Sequence, residues 1–178
     1  ESPRVLDIWI KARLGEVVES VTKSMEQYEI DRAIRPLGDF IEDLSVWYLR
    51  RSRERVKKLT TNDLQPATEE ERADGKYALA TLAFVLKEFS KILAPFVPFL
   101  AEHIFQSLQA TSYKLQANKS VHLERWPVEI VDYIRRDELA KMSEVRDLVS
   151  NSLELRARAN IKVRQPLSRL NIKYKKEK

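Results

Sequence analysis

Apolar side chains return every three or four positions along most of this chain. Leu6, Trp9, Ile10, Leu14, Val17, Val21, Met25 and Tyr28 form one such stripe. Ala33, Ile34, Leu37, Phe40, Ile41, Leu44, Trp47 and Tyr48 form a second. That period belongs to an α-helix and not to a strand, whose faces alternate every two residues. Only three glycines occur in 178 residues, and Leu, Ala, Glu, Lys and Arg are abundant, so little in the chain resists helix formation. The length supports one domain with room for a small appendage.

The punctuation between stripes divides the chain. Ser2 and Pro3 read as an N-cap and a first helical position. The second helix is expected from about Asp31 to about Lys58, kinked by Pro36. Residues 59–67 lack periodicity. Thr68 and Glu71 have capping-box spacing, and the helix they open is expected to reach Leu93. Its segment YALATLAFVL (residues 77–86) is apolar nearly all round, which predicts a central buried element. Pro95 and Pro98 break it, and Pro98 can start the next helix. Residues 111–127 look irregular, with 121–123 as a short extended piece. A last long helix is expected over 133–159. Leu170, Ile172 and Tyr174 alternate with polar residues, which is strand periodicity. The expectation is therefore an all-α antiparallel bundle of about five helices over residues 1–160. A basic junction with a short strand tail follows at 161–178, the start of a further module.

Charge is segregated along this pattern. Residues 50–58 carry six Lys or Arg and one acid, and residues 156–178 carry nine and one. The whole chain is only +5, which leaves −8 for everything else. Concentrated positive charge on an otherwise mildly acidic protein is an electrostatic footprint for a polyanion. On a helix, Arg50, Arg53 and Lys57 share one face, and Arg51, Arg55 and Lys58 share the neighbouring one. Trp47 lies one turn earlier. A tryptophan beside arginines offers a π surface for a base and forked donors for phosphates, a pairing suited to RNA loops with unstacked bases. Trp47 also belongs to the apolar stripe, so burial of its ring competes with a stacking role. In the second basic segment Arg156 falls on the apolar seam of its helix, which suggests a structural part. Arg158, Lys162 and Arg164 come where the periodicity ends, and the terminal lysines read as a solvated tail.

Other chemistry finds little support. There is no cysteine, which excludes disulfides and thiolate metal sites and fits a reducing cytosol. No apolar run approaches the roughly 20 residues of a membrane span, and no signal peptide opens the chain. It begins with Glu rather than Met, so a piece of a longer protein is expected. His103 and His122 lack partners at metal spacing, and no Gly-rich phosphate loop occurs. Residues 141–143, KMS, sit within a helical pattern and read as coincidence with a nucleotide-binding loop.

Five segments together resemble the anticodon-binding helical domain of isoleucyl-tRNA synthetases. These are LDIWI at 6–10, DLSVWYLRRSR at 43–53, APFVPFLAE at 94–102, SVHLERWP at 120–127 and IKVRQPL at 161–167. Their order and approximate spacing also agree. The third is shared with valyl- and leucyl-type relatives, whereas the second and fifth favour isoleucine. The resemblance implies an all-helical bundle that grips the anticodon stem-loop of an isoleucine tRNA. Trp47, Arg50, Arg51, Arg53, Arg55 and Lys57 would then face the RNA, with Lys162 and Arg164 as further candidates. It implies a parent isoleucine–tRNA ligase, cytoplasmic and monomeric, whose ATP, magnesium and isoleucine sites lie elsewhere in its chain. The piece alone would catalyse nothing and needs no cofactor of its own. The competing readings are a structural or protein-docking bundle whose basic strip meets an acidic partner, and the equivalent domain of a valyl- or leucyl-type synthetase.

Overall fold

The structure is a computed structural model that describes residues 2–60, 67–110 and 120–172. Among these are six α-helices and no strand. They are α1 (Val5–Glu26), α2 (Ile30–Glu42), α3 (Arg50–Thr60), α4 (Glu69–Leu93), α5 (Pro98–Ala110) and α6 (Arg136–Arg158). A π-helical stretch, Asp43–Leu49, joins α2 to α3 without a break, so the two form one long rod. Two short 3-10 turns, Val121–Leu123 and Val128–Tyr133, lie between α5 and α6. The chain divides into two compact units, 1–139 and 140–178, with the boundary inside α6.

In the first unit α1 packs against α2, α4 and the second 3-10 turn, while α3 packs on α4 and α4 on α5. Cross-links fix the directions. Asp7 meets Tyr48 and Asp43 meets Arg13, so the α2–α3 rod runs opposite to α1. Arg55 meets Asp74 and Lys58 meets Glu71, so α4 runs opposite to α3. The core is built chiefly from Trp9, Ile10, Leu14, Val17, Val18 and Val21 of α1, against Phe40, Tyr48, Val85, Phe89, Ile92 and Phe105. Phe40 and Phe89 touch with ring centroids 4.8 Å apart and planes tilted by 49°, a contact worth about 0.5–1.5 kcal/mol beyond its buried area. Gly15 lets the second 3-10 turn cross α1 closely. A Cβ there would stand 2.8 Å from Ile134 Cγ1 and 2.9 Å from the carbonyl oxygen of Ile130.

Several local expectations hold. Thr68 Oγ1 accepts the Glu71 N–H (3.2 Å) and the Glu71 carboxylate accepts the Thr68 N–H (3.0 Å), so the capping box forms and α4 ends at Leu93. Pro98 is the first residue of α5.

Others need correction. Ser2 does not cap α1. Its hydroxyl donates to the Asp7 carboxylate at 2.5 Å, and the helix starts at Val5 without a side-chain cap. Tyr28 leaves the first stripe, since it has φ of 58° and is 92% exposed. Its N–H bonds the Met25 carbonyl and the Glu29 N–H bonds the Ser24 carbonyl, the paired closure of a Schellman motif. α4 is not apolar all round in use. Ala78, Thr81, Val85, Phe89 and Ile92 are buried, whereas Tyr77 and Leu79 are exposed. Residues 121–123 form a 3-10 turn instead of an extended piece, because the Glu102 carboxylate accepts both the Ser120 hydroxyl and the Val121 N–H. The strand tail is absent among the described residues. Leu170 and Ile172 lie in irregular chain with their side chains exposed, and alternation alone cannot make a strand that has no ladder partner. Tyr174 lies outside the described residues.

Candidate nucleic-acid interface

The rod that carries the basic run changes its winding just before it. Phe40, Leu44, Tyr48 and Ser52 are all buried and four residues apart. In a plain α-helix each four-residue step overshoots a full turn by roughly 40°. The wider i→i+5 turn of the π stretch, where the Arg50 N–H bonds the Ser45 carbonyl, reduces that drift and keeps the row on the core. The arginines beyond it are thereby sorted into two classes.

Arg50, Arg51 and Arg53 turn outward and are exposed, as are Lys57 and Lys58. Trp47 is half-buried. The Arg51 guanidinium carbon lies 4.0 Å from the centre of its ring, and Arg51 Nη1 donates to the Val46 carbonyl at 3.1 Å. Such a stack immobilises the arginine and presents its flat cationic group at the surface. Lys58 pairs with Glu71, which also receives the Thr68 N–H, and the two hold the Glu71 carboxyl below its ordinary range.

Arg55, expected on the outward wedge, turns inward. Its side chain is only 15% exposed. Nη1 and Nη2 donate to the two oxygens of Asp7 at 2.9 and 2.8 Å, while Nε and Nη2 reach Asp74 at 3.0 and 2.9 Å. Asp7 also receives the Ser2 hydroxyl, at 2.5 Å, and the Tyr48 hydroxyl, at 2.8 Å, the latter standing 3.1 Å from the Ala78 carbonyl. Arg4 Nε adds a bond to Asp74 at 2.9 Å. Burial by itself pushes the Asp7 carboxyl up, but hydrogen bonds from Arg55, Ser2 and Tyr48 outweigh it and hold it below its ordinary value. Burial and then the neighbouring Asp7 charge push the Tyr48 phenol up. The hydrogen bonds from Asp7, opposed by burial and joined by those from Asp74, push Arg55 up. Gly75 permits the approach. A Cβ there would stand 2.6 Å from the Arg55 carbonyl oxygen and 2.9 Å from Leu59 Cγ.

Sequence reasoning missed Asp7, Asp74 and Tyr48 as organisers of this end of the rod. The available signal was Asp7 itself, a carboxylate in register with Ile10, Leu14, Val17 and Val21 on a buried stripe. In the second unit Lys162 and Arg164 are exposed. Among the described residues no group of three or more His, Cys, Asp or Glu could hold a metal ion. No helix among them is long and apolar enough to cross a membrane.

Residues 7–172 match the family described as the anticodon-binding domain of tRNA ligase. The chain belongs to that family. The match covers α2 to α6 and nearly all of α1, together with the first basic segment and the second as far as residue 172. Similar proteins include the isoleucine–tRNA ligase of Chlamydia trachomatis serovar A, 38% identical over 173 residues, which covers 97% of this chain and 15% of that protein. The isoleucine–tRNA ligase of Treponema denticola is 38% identical over 168 residues, 94% of this chain and 14% of the relative. That of Clostridium kluyveri is 35% identical over 175 residues, 98% and 16%. This anticodon-binding domain thus spans about one-sixth or less of the length of the curated relatives it matches.

Proposed function

We propose that this anticodon-binding domain grips the anticodon stem-loop of an isoleucine tRNA through the outward face of α3. In that way it positions the acceptor end for ATP-dependent aminoacylation elsewhere in a parent isoleucine–tRNA ligase. The observation that carries the reading is the sorting of the arginines. Arg55 is held inside, while Arg50 and Arg53 stand exposed without a carboxylate partner among the described residues and Arg51 lies over the Trp47 ring. Guanidinium groups so arranged can each take a phosphate, and the Trp47–Arg51 stack offers a planar surface to a splayed base. Phosphate contacts set the register on the RNA, and base contacts set identity. Lys57 adds a cation on α3, and Lys162 and Arg164 add theirs in the second unit. Docking at the anticodon would raise the effective concentration of the far end of the tRNA at a remote active site. On this reading ATP and magnesium are used elsewhere in the parent chain, which acts as a cytoplasmic monomer.

The test is the double substitution Arg50→Ala and Arg51→Ala, with binding of isoleucine tRNA measured across a salt series. The logarithmic salt slope is expected to fall by about 1.4–1.8, since each lost phosphate contact contributes about 0.7–0.9, while the thermal midpoint stays put. Wild-type affinity that does not change between low and moderate salt overturns the reading.

A further inference from the structure

The second basic segment is a built turn, and the residue that builds it is Arg156. α6 ends at Arg158, and Asn160 takes a left-handed conformation with φ of 54°. The Ile161 N–H bonds the Arg156 carbonyl at 2.9 Å and the Asn160 N–H bonds the Ala157 carbonyl at 3.1 Å, which closes the helix in a Schellman motif. The side chain of Arg156 then closes the chain that follows. Its Nη2 lies 2.6 Å from the carbonyl oxygen of Lys162, 3.1 Å from that of Val163 and 2.6 Å from that of Gln165. The Gln165 N–H bonds the Lys162 carbonyl at 2.9 Å, which tightens residues 162–165 into a turn. With three carbonyls drawn to one guanidinium, the side chains of Lys162, Val163 and Arg164 all lie exposed.

The charges of this turn are not neutralised. Arg158 pairs with Glu154 at 2.5 Å. Among the described residues no carboxylate pairs with Arg156, Lys162 or Arg164, so three positive charges stand within nine residues of chain. A guanidinium held by carbonyls keeps its full charge, whereas one held by a carboxylate, such as Arg55, adds nothing to the outside field. A fixed turn also spares most of the ordering cost that a flexible basic tail meets on binding. We propose that Arg156 is a positioning residue for a second phosphate-binding element, in which Lys162 and Arg164 contact the sugar-phosphate backbone of the bound RNA. The inference rests on the tRNA-binding reading above. It assigns to Arg156 a role through its neighbours and not through contact with the RNA.

The experiment is a mutant cycle on the full chain, with isoleucine tRNA as the probe and binding read at several salt concentrations. Lys162→Ala with Arg164→Ala is expected to weaken binding about tenfold at roughly 0.1 M salt and to lower the salt slope by about 1.4–1.8. Arg156→Ala alone is expected to weaken binding severalfold. Added to the Lys162→Ala, Arg164→Ala background, it should change affinity by less than twofold, because coupled residues fail to add. Arg156→Lys, which keeps a cation able to reach the same carbonyls, should recover part of the loss and guards against a variant that does not fold. Additive effects in the cycle overturn the positioning role, as does an unchanged affinity in Lys162→Ala, Arg164→Ala. In either case the Arg50→Ala, Arg51→Ala variant, measured alongside, separates the two ideas. If that pair still weakens binding, only the second element is lost, and if nothing weakens it, the tRNA reading fails as well. Enhanced capture of acidic proteins without RNA overturns both.

Discussion

Asp7 of α1 and Arg55 of α3, forty-eight residues apart, share two hydrogen bonds of 2.9 and 2.8 Å at the inner end of the rod. Asp7 is 1% exposed. Replacing Arg55 by methionine strands that carboxylate in the core. A loss of about 3–5 kcal/mol is expected in urea unfolding. Arg53→Ala, on the exposed face of the same helix, should stay within about 0.5 kcal/mol. Binding of tRNA by the folded fraction should respond the opposite way, unchanged for Arg55→Met and weakened for Arg53→Ala. Equal destabilisation by both substitutions would contradict the sorting of the two arginines.

The same network predicts how stability follows pH. The Asp7 and Asp74 carboxyls lie below their ordinary values when folded. Their contribution is complete above the unfolded value of about 3.9 and is lost as pH falls through the lower folded values. The Tyr48 phenol is shifted upward, so its contribution is complete below about 10 and is lost as pH rises past that. A stability plateau between those limits is expected. Asp7→Asn should flatten the acid limb in unfolding measured from pH 2 to 7, a range that brackets the unfolded carboxyl value of about 3.9.

Two glycines on helices should respond in opposite directions. Gly75→Ala places a methyl group 2.6 Å from the Arg55 carbonyl oxygen and must push α3 from α4, an overpacking cost of about 1–3 kcal/mol. Gly38 has nothing within 4 Å of where a Cβ would stand, so Gly38→Ala should gain about 0.5–1 kcal/mol from helix propensity. Thermal midpoints of the two variants check this. A stabilised Gly75→Ala would mean that the helices are not in close contact there.

Tyr28 occupies a left-handed position that suits glycine, and its ring is 92% exposed. Little burial is lost when it is removed. Tyr28→Gly is expected to stabilise the fold by up to about 1 kcal/mol, the cost that the left-handed region imposes on a residue with a Cβ. A lowered midpoint would show that the ring makes a contact that its exposure does not suggest.

The helices were legible because burial of a helix face leaves a long, redundant record. Trp9, Ile10, Leu14, Val17 and Val21 each repeat the same message, and the Thr68–Glu71 pair marks a boundary by local hydrogen bonding alone. The π stretch was not legible. Its winding is imposed by the core that holds Leu44, Tyr48 and Ser52 in one row, and nothing local distinguishes it from an α-helix. Arg55 was not separable from Arg50, Arg51 and Arg53 for a related reason. The four look alike in a run of charges, and what sets one apart is a pair of carboxylates contributed by α1 and α4. Residues 170–172 misled in the opposite sense, because alternation is a necessary trace of a strand and not a sufficient one.

The seven residues Asp43–Leu49 also set the azimuth of everything downstream. Winding the same seven residues as a plain α-helix would leave the rod nearly as long but rotate its far half by roughly 100°. Arg55 would swing away from Asp7, and a surface arginine would face the hydrophobic interior in its place. The direction in which the cationic ridge points is therefore decided upstream of every residue on it.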